Sequence, residues 1–192
     1  MHKNILLSVL LAVTILGCDI LTTREPEKPE LARTTLFPAT TPQILFNNLV
    51  ESLSQKVTEN YLSCIADSSL SSTIYKFFPA SGAVNKYSVL SEWVKDSERR
   101  YFNNLKTAVI ENQPITLTLL NENSNMQGDS AIYQFDYIIT LRLTGTNQEI
   151  FKGNAQFKIR IDRNNTWVIA EWTDISIQGY SSWSELKGRY YL

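Results

Sequence analysis

The sequence predicts an α+β domain in which N-terminal helices cover one face of an antiparallel sheet. Between about residues 42 and 105 the apolar residues recur at helical spacing, and from Ile115 onward they alternate with polar residues. Helices that come first and long strands that follow indicate separate helical and sheet layers. An antiparallel sheet with one dry face must bury that face, and the amphipathic helices are the available cover.

The first eighteen residues have the three parts of a bacterial export signal. Lys3 supplies a positive charge, and an uncharged apolar run extends from Ile5 to Leu16. A transmembrane helix needs about 20 apolar residues, so this run has the length of a signal-peptide core instead. The run ends in Ile15-Leu16-Gly17-Cys18, which resembles the bacterial lipobox. The resemblance implies that residues 1–17 are a cleaved signal peptide and that the thiol of Cys18 is lipidated.

The lipobox interpretation implies a membrane-anchored lipoprotein of the bacterial cell envelope. Its partner at the anchor is the lipid bilayer, because more than one acyl chain on Cys18 gives stable attachment. Asp19 resembles an inner-membrane retention signal of some bacteria, and both the inner and the outer membrane stay open. The competing interpretations are an ordinary secretory signal with a chance cysteine and an uncleaved N-terminal anchor.

The segment after the cysteine has the composition of a spacer. Four of the six prolines lie between residues 19 and 42, among threonines and charged residues. Such a segment buries too little apolar surface to fold, and its prolines keep it extended. We therefore predict a tether at residues 18–40 and a folded domain at residues 41–192.

Three helices and a short strand are predicted in the first half of the domain. Thr41 is a good N-cap with Pro42 at the first helical position, and apolar residues four apart continue that helix to about Gln55. Thr58 is expected to cap a short second helix. The remaining assignments are a strand at Ser71–Phe78, a loop at Ser81–Lys86, and a third helix capped by Ser88 with an apolar face of Leu90, Trp93, Val94, Tyr101 and Leu105.

Strict alternation predicts the strands of the second half. The apolar positions run from Ile115 to Leu119, from Tyr133 to Leu143, from Phe151 to Ile161 and from Trp167 to Trp172. Turn residues at 144–147 and 162–165 separate the last three runs. These are neighbouring antiparallel strands with one dry and one wet face.

Composition excludes several classes of function. The net charge is −1, and no basic block could neutralise a row of phosphates, so nucleic acid is not an expected partner. The only histidine is His2, inside the predicted signal peptide. The mature domain therefore lacks the imidazole of a Ser-His-Asp triad or a histidine zinc site, and we predict no metal and no cofactor. Cys64 lies in an apolar helical stretch and is expected to be a buried core residue.

The order of elements, ending in Phe157–Arg163 and in Trp167–Asp174, resembles the NTF2-like (cystatin-like cone, SnoaL-like) superfamily. The resemblance covers roughly residues 41–177. It implies an NTF2-like cone, in which N-terminal helices pack on a curved antiparallel sheet and a pocket opens at one end. The tail Trp183–Gly188 is similar to the ends of uncharacterised bacterial lipoproteins of this shape.

The resemblance also supplies candidate pocket residues. Six aromatic side chains are candidates for the pocket wall: Tyr61, Trp93, Tyr133, Phe135, Tyr137 and Trp172. No residue is assigned a catalytic role. Asp67 and Asp174 are candidate acids at the pocket rim, with a turn at a helix end and a strand end as the competing interpretations. Asp136 alternates out of phase with the tyrosines and is expected on the wet face.

Three tryptophans and one run of charged residues are expected to have structural roles. Trp93, Trp167 and Trp172 are expected in the core or in pocket walls. Glu98-Arg99-Arg100 is expected to be a solvated helix face.

Three functions are compatible with these sequence features. The leading hypothesis is a non-enzymatic lipoprotein whose domain binds an apolar small molecule or a protein partner. The alternative is a cofactor-free isomerase or lyase, similar to ketosteroid isomerase, with an inward carboxylate and a tyrosine in an enclosed pocket. The third is a structural envelope protein that forms a homodimer through the exposed sheet face.

Overall fold

The computed structural model describes residues 36–71, 73–145 and 147–191. The predicted leader and most of the predicted tether lie outside these residues. In chain order the elements are α1 (Pro42–Gln55), α2 (Thr58–Ser63), β1 (Lys76–Phe78), α3 (Ser81–Lys86), a 3₁₀ helix (Ser88–Glu92), α4 (Lys95–Ala108), β2 (Thr116–Gln127), β3 (Ser130–Arg142), β4 (Gln148–Ile161), β5 (Trp167–Ser176) and α5 (Trp183–Arg189).

The predicted α+β architecture is confirmed. Strands β2 to β5 form an antiparallel meander, and β1 pairs in parallel with β5, so the strand order is β1-β5-β4-β3-β2. The inward residues of β3 alternate with outward ones along the whole strand, as the period of two predicts. The curved sheet and the helices enclose a core that contains most of the large apolar side chains.

The first helix begins and ends as its sequence indicates. Thr41 accepts a hydrogen bond from the backbone N–H of Ile44, and Pro42 occupies the first turn, where its missing N–H costs nothing. Lys56 ends the helix in a left-handed conformation with φ 56°. Leu45, Leu49 and Leu53 are completely buried against the sheet.

Three expectations for the middle of the chain are wrong in detail. The strand predicted at Ser71–Phe78 is reduced to Lys76–Phe78. The predicted loop at Ser81–Lys86 is helix α3, which buries Ala83. The helix predicted from Ser88 is interrupted: a 3₁₀ turn is followed by two extended residues, Trp93 and Val94, before α4 begins. Because of this break Trp93 points into the core, whereas Val94 is exposed.

The C-terminal helix α5 is an addition to the predicted element list. Ser182 accepts a hydrogen bond from the N–H of Glu185, so the segment begins with the Ser-x-x-Glu spacing of a capping box. Trp183, Leu186 and Lys187 have no exposed surface. The helix is therefore part of the interior of the domain.

The start of the described chain is attached to the sheet. Ala39 accepts a hydrogen bond from the N–H of Trp167 at 2.7 Å, and Phe37 accepts one from the side-chain amide of Asn48 at 2.7 Å. These residues belong to the segment that the sequence assigns to the tether. No helix in the described ranges is long and apolar enough to cross a membrane.

Candidate functional site

A carboxylate lies in the centre of the domain. Glu98 has no exposed surface, which corrects the expectation that Glu98-Arg99-Arg100 is a solvated helix face. Arg99 and Arg100 are exposed as expected. Glu98 precedes Tyr101 by three residues and Phe102 by four, so the turn of α4 places it on the buried face.

Three donors satisfy the Glu98 carboxylate. The hydroxyl of Tyr61 donates to Oε2 at 2.8 Å, and the hydroxyl of Tyr75 donates to Oε1 at 2.6 Å. The ammonium of Lys187, from α5, also donates to Oε1 and forms a completely buried ion pair with it. A buried charge needs such partners, because an unpaired carboxylate in the interior costs several kcal/mol, about 3–5 when one partner is removed.

Aromatic rings surround the Lys187 ammonium. Its Nζ lies 3.7 Å from the ring centre of Trp172 and 4.0 Å from that of Phe77. Trp93 and Tyr101 are farther away, at 5.7 and 5.9 Å. Distances within about 6 Å permit cation–π attraction, which is strongest where water is excluded. We call this volume the Lys187 chamber, lined by Tyr61, Tyr75, Phe77, Trp93, Glu98, Tyr101 and Trp172.

Burial changes the acidity of the groups in the chamber. It lowers the pKa of Lys187 to about 8, although the nearby Glu98 charge favours the ammonium. Burial is also the main reason that the pKa values of Tyr61, Tyr75 and Tyr101 are raised, and the Glu98 charge adds to each increase. At neutral pH the tyrosines are therefore hydrogen-bond donors and the lysine is charged.

A second buried carboxylate holds the start of α5. Asp174 accepts a hydrogen bond from the Tyr137 hydroxyl at 2.7 Å, and its other oxygen accepts from the backbone N–H of Ser184 at 2.7 Å and from the Ser184 hydroxyl. The Tyr137 oxygen in turn accepts from the N–H of Trp183 at 2.7 Å. These bonds occupy the unpaired amides at the helix N-terminus. Burial, and then the Asp174 charge, raise the pKa of Tyr137.

A glycine makes room for the Tyr137 hydroxyl. Gly153 on β4 pairs with Tyr137 on β3. A Cβ atom at Gly153 would lie 2.5 Å from the Tyr137 hydroxyl and 2.6 Å from the carbonyl oxygen of Ile175. The absence of a side chain at this position therefore permits the contact between Tyr137 and Asp174.

The structure separates the six predicted pocket-wall residues into three groups. Tyr61, Trp93 and Trp172 line the Lys187 chamber, and Tyr137 lies beside α5. Tyr133 and Phe135 lie elsewhere, where their ring centres are 5.0 and 4.8 Å from that of Phe46. All six are buried.

The remaining sequence candidates have structural contacts. Asp67 accepts hydrogen bonds from the N–H and hydroxyl of Ser69 and pairs with Lys95, as expected of a turn residue, and these contacts lower its pKa. Asp136 lies on the outer face of the sheet with Asn154, as predicted. Cys64 is buried as expected, and burial raises the pKa of its thiol to about 12.

An apolar groove lies open on the surface beside β1. Its volume is about 590 Å³, and we call it the β1 groove. Three of its residues are prominently exposed: Ile74 at 65%, Phe78 at 44% and Val94 at 47%. Leu90 and Trp93 form its floor, so one wall of the Lys187 chamber is shared with the groove.

Two smaller clefts are more polar. One of about 280 Å³ lies on the outer sheet face, lined by Asp136 and several amides. Another of about 210 Å³ lies beside residues 36–39 and Cys64. Within the part of the chain that the structure describes, no group of three or more His, Cys, Asp or Glu side chains is arranged to hold a metal ion.

Sequence reasoning missed Glu98, Lys187 and the interior position of Asp174. The sequence contains a pattern that indicates burial for two of these three residues. Glu98 lies on the apolar side of a helical repeat, and Asp174 lies two residues after the buried Trp172 on the same strand face. Lys187 gives no such signal by itself, because a lysine is buried only when a partner is found elsewhere in the chain.

Solved structures with the same arrangement come from several bacteria. A proposed aromatic ring hydroxylase from Novosphingobium aromaticivorans has a TM-score of 0.56 and 13% identity, over 76% of this chain and 92% of that one. A proposed dehydratase from the NTF2-like family of Streptomyces avermitilis has a TM-score of 0.52 and 10% identity, over 71% and 94%. An NTF2-like superfamily protein from Salmonella enterica has a TM-score of 0.50 and 12% identity, over 70% and 89%.

These likenesses show the fold. The domain has the NTF2-like cone that the sequence resemblance implied. Identities of 10–13% carry no activity from one chain to the other. No protein-family model matches the sequence. No curated protein matches it either.

Proposed function

We propose that this chain is a lipid-anchored protein of the bacterial cell envelope and that its NTF2-like domain is a non-catalytic binding module. The observation that carries the binding role is the position of α5. This helix places Trp183, Leu186 and Lys187 inside the cone, where all three are completely buried. The interior is thereby filled by the chain itself, and the open apolar surface lies outside it, at the β1 groove.

The anchor part of the proposal is supported by the N-terminal sequence. A basic start, an apolar run that is too short to span a bilayer, and Gly17-Cys18 occur in the order that lipoprotein processing requires. The proline-containing segment that follows would hold the domain away from the lipid surface. Acylated Cys18 would be the only mature cysteine besides Cys64.

The β1 groove is the proposed ligand site. A groove of about 590 Å³ is of the size that holds a small organic molecule. Burial of the exposed Ile74, Phe78 and Val94 side chains by an apolar ligand would remove their surface from water, which is the main source of affinity for such ligands. The proposed ligand is therefore an apolar small molecule.

The isomerase or lyase alternative is less well supported. It requires an inward carboxylate in contact with a tyrosine, and both Asp174 with Tyr137 and Glu98 with Tyr61 meet that requirement. It also requires space for a substrate within hydrogen-bond distance of the base. Both oxygens of Asp174 already accept hydrogen bonds, from Tyr137 and from Ser184. Both oxygens of Glu98 do so as well, from Tyr61 and from Tyr75 and Lys187, so both arrangements favour a structural role.

The groove is tested with an apolar fluorescent probe, 1-anilinonaphthalene-8-sulfonate. We expect the protein to bind the probe and Phe78→Ser to weaken that binding. Ile150→Ser is the matched control, because Ile150 is also 44% exposed but lies on β4, which is not adjacent to β1. Equal weakening by both substitutions, or by neither, would contradict the assignment of the groove.

The anchor is tested in cells that express the full chain. We expect mass spectrometry to find a mature N-terminus at Cys18 with acyl chains attached. Cys18→Ser should release the protein from the membrane fraction, whereas Cys64→Ser should leave it there. An intact leader, or an unmodified thiol at position 18, would contradict the proposal.

A further inference from the structure

We propose that the Lys187 chamber is a second ligand site, which binds an aliphatic amine that displaces α5. In the structure the chain occupies this site with its own lysine side chain. The helix α5 thus acts as an attached internal ligand. The site is separate from the β1 groove, although Trp93 borders both.

The chamber has the chemistry of an ammonium site. Two aromatic faces, those of Trp172 and Phe77, lie within 4.0 Å of the cation, and a carboxylate neutralises it. Aromatic faces with a nearby carboxylate are the groups that recognise amines and quaternary ammonium ions in proteins. A free alkylammonium could make the same contacts as the end of the Lys187 side chain.

Two donors in the chamber have no acceptor. The indole N–H groups of Trp93 and Trp172 are buried and have no hydrogen-bond partner among the described residues. Buried donors are nearly always paired, so two unpaired ones on rings that lie 3.7 and 5.7 Å from one cation call for an explanation. An amine that also carries a hydroxyl or carbonyl oxygen would supply the missing acceptor. This observation defines the ligand class as an oxygen-bearing aliphatic amine.

Replacement of the Lys187 ammonium by the amine preserves the charge of the site. Removal of Lys187 alone would leave Glu98 as an unpaired buried anion, which is strongly unfavourable. An incoming ammonium replaces the one that leaves, so Glu98 keeps its counter-ion. A neutral ligand of the same shape cannot do this. The site should therefore discriminate between an amine and the corresponding alcohol.

The helix is placed so that it can leave. Residues 177–182 link it to β5, and its hydrogen bonds to Tyr137 and Asp174 on the sheet are made to side chains. Residues 175–180 are exposed, and Gly179 adopts φ 86°, a conformation that gives the segment a natural pivot. Departure of α5 would break its contacts with Asp174, Glu98, Tyr137 and Glu149, which are made through side chains, and would leave the pairing of β1 to β5 intact.

The first experiment uses the protein without substitutions, and its probe is 5-amino-1-pentanol. Hydrogen exchange of the backbone amides in residues 183–189 is measured with and without it. We expect exchange in α5 to become faster, because the ligand replaces the helix. The diol 1,5-pentanediol, which has no ammonium, should have no effect. Unchanged or slower exchange in α5 with the amine, or an equal effect of the diol, overturns the proposal.

The second experiment removes the internal ligand. Lys187→Ala should bind 5-amino-1-pentanol at least about tenfold more tightly than the unmodified protein, because the ligand no longer competes with the chain. Arg189→Ala is the control, since it removes an exposed ion pair with Glu149 from the same helix. Equal affinity of the two folded variants overturns the proposal. If Lys187→Ala does not fold, the hydrogen-exchange experiment on the protein without substitutions is the test of the proposal.

Discussion

The ammonium of Lys187 lies 3.7 Å from the ring centre of Trp172, and neither side chain has exposed surface. This contact joins the last helix of the domain to the last strand. Glu98, from α4, completes it as the counter-ion. The interior of the cone is therefore organised around one buried ion pair.

Replacement of the buried carboxylate should destabilise the fold strongly. Glu98→Gln leaves the Lys187 ammonium without its charge partner, and we expect the free energy of unfolding to fall by about 3–5 kcal/mol at pH 7. Urea unfolding measures the change. The loss should be smaller at pH 9, because the pKa of Lys187 is already lowered to about 8 and the neutral amine needs no counter-ion.

Two controls distinguish the ion pair from a general effect of charge. Glu59→Gln removes the partner of Arg99, which is exposed, and should cost less than about 1 kcal/mol. The double variant Glu98→Gln with Lys187→Met removes both charges and should regain part of the lost stability. Equal costs for Glu59→Gln and Glu98→Gln would contradict the interior position of the pair.

Loss of one hydroxyl should loosen the start of α5. Tyr137→Phe removes the acceptor of the Trp183 N–H and a donor to Asp174. Unpaired buried groups of this kind cost about 1–3 kcal/mol. The measurement is urea unfolding together with amide exchange at Trp183. Tyr180→Phe, at an exposed tyrosine, should change neither quantity.

Substitution by alanine should destabilise the domain at one glycine and stabilise it at another. Gly153→Ala would place a methyl group 2.5 Å from the Tyr137 hydroxyl, and such overpacking costs about 1–3 kcal/mol. Gly82 in α3 has nothing within 4 Å of its Cβ position. Gly82→Ala should stabilise the helix by about 0.5–1 kcal/mol. Thermal unfolding of both variants provides the test.

The buried tyrosines should make the fold sensitive to alkali. The pKa values of Tyr61, Tyr75 and Tyr101 are raised in the folded state, so these groups stabilise the fold below pH 10, the ordinary value for tyrosine. Their contribution is lost as the pH rises above 10, because the unfolded tyrosines then release protons that the folded ones retain. We expect tyrosinate absorbance of these residues to appear together with unfolding. Ionisation of all nine tyrosines before any unfolding would contradict this.

Ionisation of Lys187 changes the stability of the fold in the opposite direction, over a different pH range. Its folded pKa of about 8 lies below its ordinary value of 10.5, so the unfolded chain binds the additional proton between these pH values. Stability from this group therefore rises from pH 8 to 10.5. Lys187→Met should remove that rise and leave the loss above pH 10 intact.

Local patterns predict the architecture well where one face is clearly apolar. The Thr41-Pro42 start of α1 and the alternation from Tyr133 to Leu141 lead directly to the observed helix and strand. Both are determined by neighbours in the sequence, through a cap and through a period of two. The break at Trp93 and Val94 is not visible in this way, since both residues fit the apolar face of a continuous helix.

The interior site depends on contacts between distant residues. Lys187 and Glu98 are 89 positions apart, and Lys187 alone has the pattern of a surface charge, whereas Glu98 lies on the apolar side of α4. Their burial is possible only as a pair, and the sequence around one residue does not identify its distant partner. The Ser-x-x-Glu spacing from Ser182 to Glu185 does indicate the short helix, although its seven residues are too few to show an amphipathic period.

The most direct test of the filled interior is nuclear magnetic resonance of the lysine ammonium groups in ¹⁵N-labelled protein at neutral pH. We predict one ammonium, assigned through Lys187→Met, whose protons exchange slowly with water and show nuclear Overhauser effects to the rings of Trp172 and Phe77. Fast exchange of every lysine ammonium, with no contact to either ring, would contradict the placement of α5 inside the cone and the binding role proposed from it.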